Sequence, residues 1–410
     1  MSEQTTFSVT LPPHSLGMAH RLWRTLPAGP RRVALSTLTA ALAPRVAREA
    51  AVAPGLVVAG ELGRASGLGE GARLMLAALR EAGFPHIGCD IGDPARRERI
   101  EIADVPAAMP LVLHVNAPLL PLTLLRLPRS VLRGRRRIGF WYWELPHVPE
   151  SWRPGFDLVD EIWVPSRFVA ESLETVSTSK PIRIVTLPLA AVPPQPSRKQ
   201  RADFGLPEGV LVVLVSLSLA SSVARKNPLA AIAAFRAAFG GRRDRLLVLK
   251  LSESERHPTD LGRIAAAIHG SDNIRLFTAA LSAADRHALT ACADIVLSLH
   301  RAEGFGLVPA EAMLLGVPVV ATGWSATREY MSPDAAALVP YRLVPACDER
   351  GVYAVRGAVW AEADIEAAAD HLCQLADDPA LRARLAAAGR DLAMARLGDD
   401  GLRDAIRGLG

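Results

Sequence analysis

The sequence predicts an α/β protein with two parallel-sheet domains, preceded by a basic helical extension. Three observations support this fold class. A chain of 410 residues is longer than one hydrophobic core usually organises. Short apolar runs alternate with helical or irregular segments over most of its length, which is typical of doubly wound parallel sheets. A Pro-rich polar stretch without periodicity, between residues 188 and 201, separates two series of such runs and is the best linker in the sequence.

Composition and charge are those of a globular protein with anionic partners. Half of the residues are apolar and the formal net charge is +5, which suits a nucleotide diphosphate or an acidic membrane surface. Nucleic acid is not expected, because the basic N-terminal residues lack interleaved exposed aromatics. The chain has no long apolar run and no secretory pattern at its start, so a cytoplasmic location is expected. Its four cysteines have no paired spacing, which argues against a zinc site.

The extension, residues 1–54, does not look like the start of a sheet. It contains only two glutamates against six arginines, namely Arg21, Arg24, Arg31, Arg32, Arg45 and Arg48. Helical spacing of the apolar residues predicts an amphipathic helix that includes Leu35, Leu38, Leu42 and Val46. Such a helix can dock on the anionic inner face of a membrane. It can equally pack on the body of the protein with its arginines in solvent, and the sequence leaves both interpretations open.

The first α/β domain is predicted to span residues 55–195. Its first strand leads into a glycine-rich loop, with Gly67 and Gly69, that opens a helix. Such a loop can bind an anion or let a ligand approach the backbone, although many strand-to-helix turns need glycine for geometry alone. His114 lies at the end of a later strand, where it can meet a ligand or be a structural histidine. Glu144 lies in an aromatic segment, where it can accept a hydrogen bond from a hydroxyl or belong to core packing.

The second α/β domain is predicted to span residues 205–390. The loop after its first strand places Arg225 and Lys226 just before a helix. Two adjacent cations at that position can neutralise a diphosphate and stabilise the charge that builds on it, or they can be a solvated pair. Residues 391–410 form a short tail.

A strand–loop–helix transition near residue 300 is the centre of this domain. Glycines at 304 and 306 let the backbone approach a ligand closely, and the free N–H groups of the following helix favour an anion. Glu303 and Glu311 bracket the turn, eight positions apart. Both can therefore face one crevice and accept hydrogen bonds from hydroxyls.

This arrangement resembles the Glu-x7-Glu signature of retaining glycosyltransferases with the two-domain GT-B architecture, in particular family 4 (glycosyl transferases group 1). The resemblance covers about residues 55–390 and includes the Trp141–Pro146 and Ser221–Pro228 segments. One departure is Ala326-Thr327, where the family more often has Gly-Asn. The resemblance implies two Rossmann-like domains facing a crevice, with a last helix, within residues 391–410, that commonly crosses back to the first domain.

The resemblance also implies roles for individual residues. Arg225 and Lys226 stabilise the leaving diphosphate, and Glu303 positions the donor sugar. His114 completes the predicted catalytic set. The predicted donor-binding residues are Gly67, Gly69, Gly304, Phe305, Gly306 and Glu311.

The implied activity is transfer of a hexose from GDP-mannose or a UDP-hexose to a hydroxyl of a glycan or lipid-linked acceptor, in bacterial polysaccharide biosynthesis. No cofactor besides this donor substrate is expected. No metal is expected either, since no Asp-x-Asp pair lies in a setting that suits a divalent ion. Peripheral contact with the inner membrane face is a further expectation. Two alternatives stay open: a nucleotide-sugar-dependent synthase that acts on a soluble sugar, and a non-catalytic protein that binds nucleotide sugars.

Overall fold

Two parallel sheets organise the computed structural model, which describes residues 28–47, 50, 52–93, 100, 102, 105–176 and 178–409. Within those residues each sheet has six strands, in the orders β2-β1-β3-β4-β5-β6 and β12-β11-β10-β7-β8-β9. The first sheet contains β1 (Leu56–Gly60), β2 (His86–Asp90), β3 (Leu111–Leu113), β4 (Arg137–Phe140), β5 (Glu161–Val164) and β6 (Ile182–Ile184). The second contains β7 (Leu211–Ser218), β8 (Arg245–Ser252), β9 (Ile274–Phe277), β10 (Ile295–Ser298), β11 (Val319–Thr322) and β12 (Ala337–Val339). This architecture confirms the predicted fold class.

Helices cover both sheets, as the alternating pattern predicts. Those of the first half are α1 (Ala28–Leu42), α2 (Gly67–Glu81), α3 (Leu120–Arg126), α4 (Arg129–Leu132), α5 (Arg153–Phe156) and α6 (Arg167–Glu174). Those of the second half are α7 (Val223–Lys226), α8 (Pro228–Phe239), α9 (Pro258–Ile268), α10 (Ala283–Ala291), α11 (Leu307–Leu314), α12 (Ile365–Asp377), α13 (Pro379–Arg396) and α14 (Asp400–Arg407). None of the described helices is long and apolar enough to cross a bilayer.

The strand order reverses once in each sheet, between β1 and β3 and between β10 and β7. Ligands of open α/β sheets bind beyond the carboxyl ends of the strands at such a reversal. The strands that flank it are buried on both faces, and therefore read as continuous apolar runs. An antiparallel hairpin of β13 (Tyr341–Pro345) and β14 (Val359–Ala363) extends the second domain toward the first.

The C-terminal helices lie against the last strand of the first sheet. The Ala190 N–H donates to the Leu397 carbonyl at 2.8 Å. A methyl group on Gly401 would lie 3.2 Å from the Ile184 carbonyl oxygen, so α14 packs closely on β6. Helix α13 runs through residue 390 without a break, and the predicted boundary at that point therefore falls inside a helix.

Helix α1 packs on the first domain with one face and exposes leucines on another. Ser36 is buried and its hydroxyl donates to the Ser151 carbonyl at 3.0 Å. Leu35, Leu38 and Leu42 are 45%, 62% and 75% exposed. The side chains of Arg21, Arg24, Arg32 and Arg48 lie outside the described residues. The two interpretations of the extension are thus compatible, since a packed helix still presents an apolar face to solvent.

Candidate functional site

The predicted strand–loop–helix transition follows β10, and its loop leads into α11. Gly306 caps the helix with φ of 91°, a conformation that side chains rarely adopt, and a methyl group there would lie 2.6 Å from the Thr327 Cγ2. The Tyr330 hydroxyl donates to the Gly306 carbonyl at 2.7 Å. Phe305 is buried against the same tyrosine ring, with 5.6 Å between the centroids. This turn is therefore held from beneath by residues 327–330.

Gly304 is needed because the first domain approaches it. A methyl group on Gly304 would lie 2.6 Å from the Trp143 carbonyl oxygen. Its own carbonyl accepts a hydrogen bond of 2.7 Å from the Ser166 hydroxyl. Both partners belong to the first sheet domain, so the loop is one of the points at which the two domains meet.

Glu303 lies between the two predicted cations. Its Oε2 is 3.0 Å from Nη1 of Arg225, and its Oε1 is 2.5 Å from Nζ of Lys226. The side chains of Arg225 and Glu303 are only 5% and 9% exposed. The structure thus brings Glu303 to the adjacent cations Arg225 and Lys226, the second of which is 77 positions away in the chain.

Electrostatics keep Glu303 and Arg225 charged. Burial by itself raises the pKa of the Glu303 carboxyl, but Arg225 and then Lys226 outweigh it and hold that pKa at about 2. Burial likewise works to lower the pKa of Arg225, whereas Glu303, Tyr353 and Glu144 together raise it above its ordinary value. A cation and a carboxylate therefore face each other throughout the physiological pH range.

Glu144 joins these charges from the first domain. Its Oε1 lies 3.6 Å from Nη2 of Arg225, and its Oε2 accepts a hydrogen bond of 3.0 Å from the Tyr353 hydroxyl. Tyr353 lies in the hairpin between β13 and β14, where its ring also contacts Trp143 at a centroid distance of 5.4 Å. We refer to Arg225, Lys226, Glu303 and Glu144 as the ion cluster.

Glu311 lies on α11, buried and beyond the glycine turn. Its Oε1 is 3.6 Å from Nη2 of Arg286 and 3.5 Å from Nε2 of His287, both on α10. Sequence reasoning missed Arg286 and His287, because an Arg-His pair on a short amphipathic helix carries no distinguishing pattern. The predicted ribose-binding role of Glu311 stays a prediction.

The two predicted glycines of the first domain differ in their surroundings. Gly69 lies in the first turn of α2, where its N–H donates to the Ser66 hydroxyl at 3.0 Å. A methyl group on Gly69 would lie 2.4 Å from the Glu61 carbonyl oxygen, whereas one on Gly67 would meet nothing within 4 Å. Local packing explains the first glycine, and the second faces open space.

His114 is fully buried rather than on the crevice wall. Its ring stacks on Phe140 with 4.4 Å between the centroids and 9° between the planes, and neither ring nitrogen has a hydrogen-bond partner in the described part of the chain. Burial lowers its pKa to about 3, so the ring is neutral. The structure does not bring His114 into the ion cluster, and its catalytic role stays a prediction. Asn116, two residues further on, is partly exposed and accepts a hydrogen bond of 2.9 Å from the Tyr142 N–H.

Nowhere in the described ranges do three or more His, Cys, Asp or Glu side chains converge as metal ligands would. The positive charge of the crevice is supplied by Arg225 and Lys226.

The chain has two parallel-sheet domains, and a cation–carboxylate group lies between them. This is the architecture of the GT-B class. The family model of glycosyl transferases group 1 matches residues 198–392, which is the second domain of this chain. The predicted resemblance is thereby confirmed. No curated protein is significantly similar to the chain in sequence.

Solved structures share the whole fold. A glycosyltransferase from Rickettsia africae is 14% identical, with a TM-score of 0.62 over 88% of this chain and 98% of its own. Sucrose-phosphate synthase from Thermosynechococcus elongatus is 17% identical, with a TM-score of 0.61 over 87% and 99%. Anabaena Alr3699/HepE in complex with UDP-glucose is 13% identical, with a TM-score of 0.61 over 87% and 99%. At these identities the likeness establishes the fold alone.

Proposed function

We propose that this protein is a retaining glycosyltransferase that moves a hexose from GDP-mannose or a UDP-hexose to a hydroxyl of a glycan or lipid-linked acceptor, in bacterial polysaccharide biosynthesis. The observation that carries the proposal is the buried contact of Arg225 and Lys226 with Glu303. Two cations held at the carboxyl edge of the second sheet are suited to an anionic leaving group. The group 1 family match over the same domain supports this chemistry.

The reaction exchanges one glycosidic bond for another. The bond between the anomeric carbon and the diphosphate oxygen breaks, and its electron pair stays on the diphosphate, where Arg225 and Lys226 stabilise the charge. The acceptor oxygen bonds to the anomeric carbon on the same face, and its proton passes to a diphosphate oxygen. No nucleophile from the protein is required. Glu303 positions the donor sugar, Glu311 accepts hydrogen bonds from the ribose, and no metal takes part.

The choice of donor follows the structural relatives. Anabaena Alr3699/HepE was solved with UDP-glucose, and S. aureus TarM, at a TM-score of 0.52 and 12% identity, was solved with UDP. Both complexes contain a uridine nucleotide, which supports a nucleotide sugar as the donor here. The synthase named above supports the alternative in which the acceptor is a soluble sugar.

Thermal unfolding in EDTA with UDP, GDP, ADP and TDP, alone and as sugar conjugates, tests the donor class. A ligand at about a hundred times its dissociation constant adds roughly 2.7 kcal/mol of stability. Selective stabilisation by one base, lost in Glu311→Ala, is expected. No shift with any nucleotide would contradict the proposal, and binding without donor consumption would favour the non-catalytic alternative.

Membrane contact through α1 is part of the proposal. Leu35, Leu38 and Leu42 form one exposed apolar face, with Arg31 in the first turn of the helix and Arg45 three residues beyond its end. An apolar face flanked by arginines suits the surface of an anionic bilayer.

Co-sedimentation with vesicles of anionic lipid tests this contact. Replacing the three leucines by glutamine should reduce binding without unfolding the protein, because the side chains are exposed. Leu229→Gln, at a position of the second domain that is 47% exposed and so comparable with Leu35, is the control. Equal binding by both variants would remove membrane contact from the proposal.

A further inference from the structure

The ion cluster has no spare positive charge in the absence of donor. Arg225 and Lys226 face Glu303 and Glu144, and the four side chains together sum to zero. A diphosphate that brought its negative charges into this group would leave both carboxylates in an anionic surrounding. One of the two carboxylates must therefore move away from Arg225 when the donor binds.

Glu144 is the carboxylate that is free to give way. Glu303 is held at 3.0 and 2.5 Å by two cations, whereas Glu144 is 3.6 Å from Arg225 and belongs to the other domain. Its side chain is 21% exposed, against 9% for Glu303. The weaker and more exposed ion pair is the one that a competing anion displaces first.

The first domain also covers the loop that is predicted to receive the diphosphate. The Trp143 carbonyl, one residue before Glu144, is the group that approaches Gly304 within 2.6 Å of where a methyl would lie. The backbone of this turn thus lies beside Gly304, and its carboxylate lies beside Arg225.

We infer that Glu144 occupies the place of the donor diphosphate on Arg225, and that after its displacement it accepts a hydrogen bond from the acceptor hydroxyl. The inference rests on the proposed function, since it requires a diphosphate donor at Arg225. Tyr353 acts as a positioning residue, because its hydroxyl holds the other carboxylate oxygen. Once the diphosphate is bound to Arg225, Oε1 of Glu144 has lost its ion pair in a half-buried site. The acceptor hydroxyl then donates a hydrogen bond to this oxygen.

Glu144→Gln tests this inference by calorimetric titration with UDP and GDP. Glutamine keeps the shape and the hydrogen bond to Tyr353 but removes the charge that competes for Arg225. The variant should bind the preferred nucleoside diphosphate about three- to tenfold more tightly than the wild type. In steady-state assays its KM for donor should fall while its KM for acceptor rises.

Glu150→Gln is the matched control, because it removes the same charge from the same domain, at a position that is 72% exposed and paired with Arg153. It should leave nucleotide affinity as in the wild type. Glu144→Asp, which keeps the charge but draws it away from Arg225, should tighten binding by less than glutamine does.

The outcomes separate the two proposals. If the wild type binds no nucleoside diphosphate, the proposed function fails. If the wild type binds one and Glu144→Gln binds it equally or more weakly, this inference fails alone. A fall of both KM values in Glu144→Gln would leave the displacement standing but overturn the role of Glu144 toward the acceptor hydroxyl.

Discussion

The two walls of the crevice are built on different principles. The second-domain wall holds paired charges, with Arg225 and Lys226 on Glu303 and with Arg286 beside Glu311. The first-domain wall contributes Glu144 to the ion cluster from within an aromatic segment, where the Trp143 ring contacts Trp152 and Tyr353. A wall of fixed charges suits the part of a substrate that carries charge, and an aromatic wall suits sugar rings and hydroxyls.

The largest effect is expected on the charged wall. Arg225→Met removes one of the two cations assigned to the leaving group and leaves Glu303 with Lys226 alone. Removing one preorganised charge of this kind lowers turnover by about 10²–10³-fold. Initial rates of donor consumption measure the loss, and thermal unfolding shows that the variant is folded.

Arg243→Met, at an exposed position of the same domain, is the control and should retain the wild-type rate. If Arg225→Met kept more than a tenth of the wild-type rate, the ion cluster would not be the group that stabilises the leaving diphosphate.

The same contrast explains what sequence could predict. Arg225, Lys226, Glu303 and Glu311 follow strands of one parallel sheet, and the carboxyl ends of such strands meet at one edge, so motif and topology together brought them to the crevice. The apolar runs, and their alternation with helical segments along the chain, are likewise local patterns. The prediction of two domains with parallel sheets rested on these patterns.

Contacts between distant parts of the chain could not be predicted in this way. The hydrogen bond between Glu144 and Tyr353 joins residues 209 positions apart, on different domains. The reason for Gly304 is also non-local, since the Trp143 carbonyl lies against it. His114 looked like a ligand-facing residue because it ends a strand, but the stacking on Phe140 that buries it depends on the neighbouring strand.

A pair of glycine variants compares two positions in the glycine loop of the first domain. In Gly69→Ala the new methyl would lie 2.4 Å from one backbone oxygen and 2.9 Å from another, so the loop must shift. We expect a loss of about 1–3 kcal/mol in the free energy of unfolding, measured in urea. Gly67→Ala meets open space and should change stability by no more than about 0.5 kcal/mol.

Nucleotide binding by the stable variant then tests the predicted role of Gly67. If Gly67→Ala folds as the wild type does and binds the donor less tightly, the donor approaches the backbone at Gly67. Equal binding would restrict the glycine loop to a structural role.

The smallest effect concerns His114, and it is a change in how the free energy of unfolding depends on pH rather than a loss of activity. Its ordinary pKa is 6.5 and burial lowers the pKa to about 3, so between these values the unfolded chain binds a proton that the folded chain does not. Stability therefore falls as the pH is lowered through this window, by up to about 1.4 kcal/mol per pH unit for one such group. His114→Leu removes the group, and the curve of unfolding free energy against pH should become shallower by that amount between about pH 6 and pH 4. Part of the slope remains in this variant because burial lowers the pKa of His300 to about 4.

Activity of His114→Leu at pH 7.5 supplies the second measurement. A buried neutral ring that faces no substrate should be replaceable with at most about a tenfold loss of activity, whereas general acid–base catalysis is worth about 10²–10⁴-fold. A folded variant with activity reduced to that extent would return His114 to the catalytic set and would require the first-domain wall to open on donor binding.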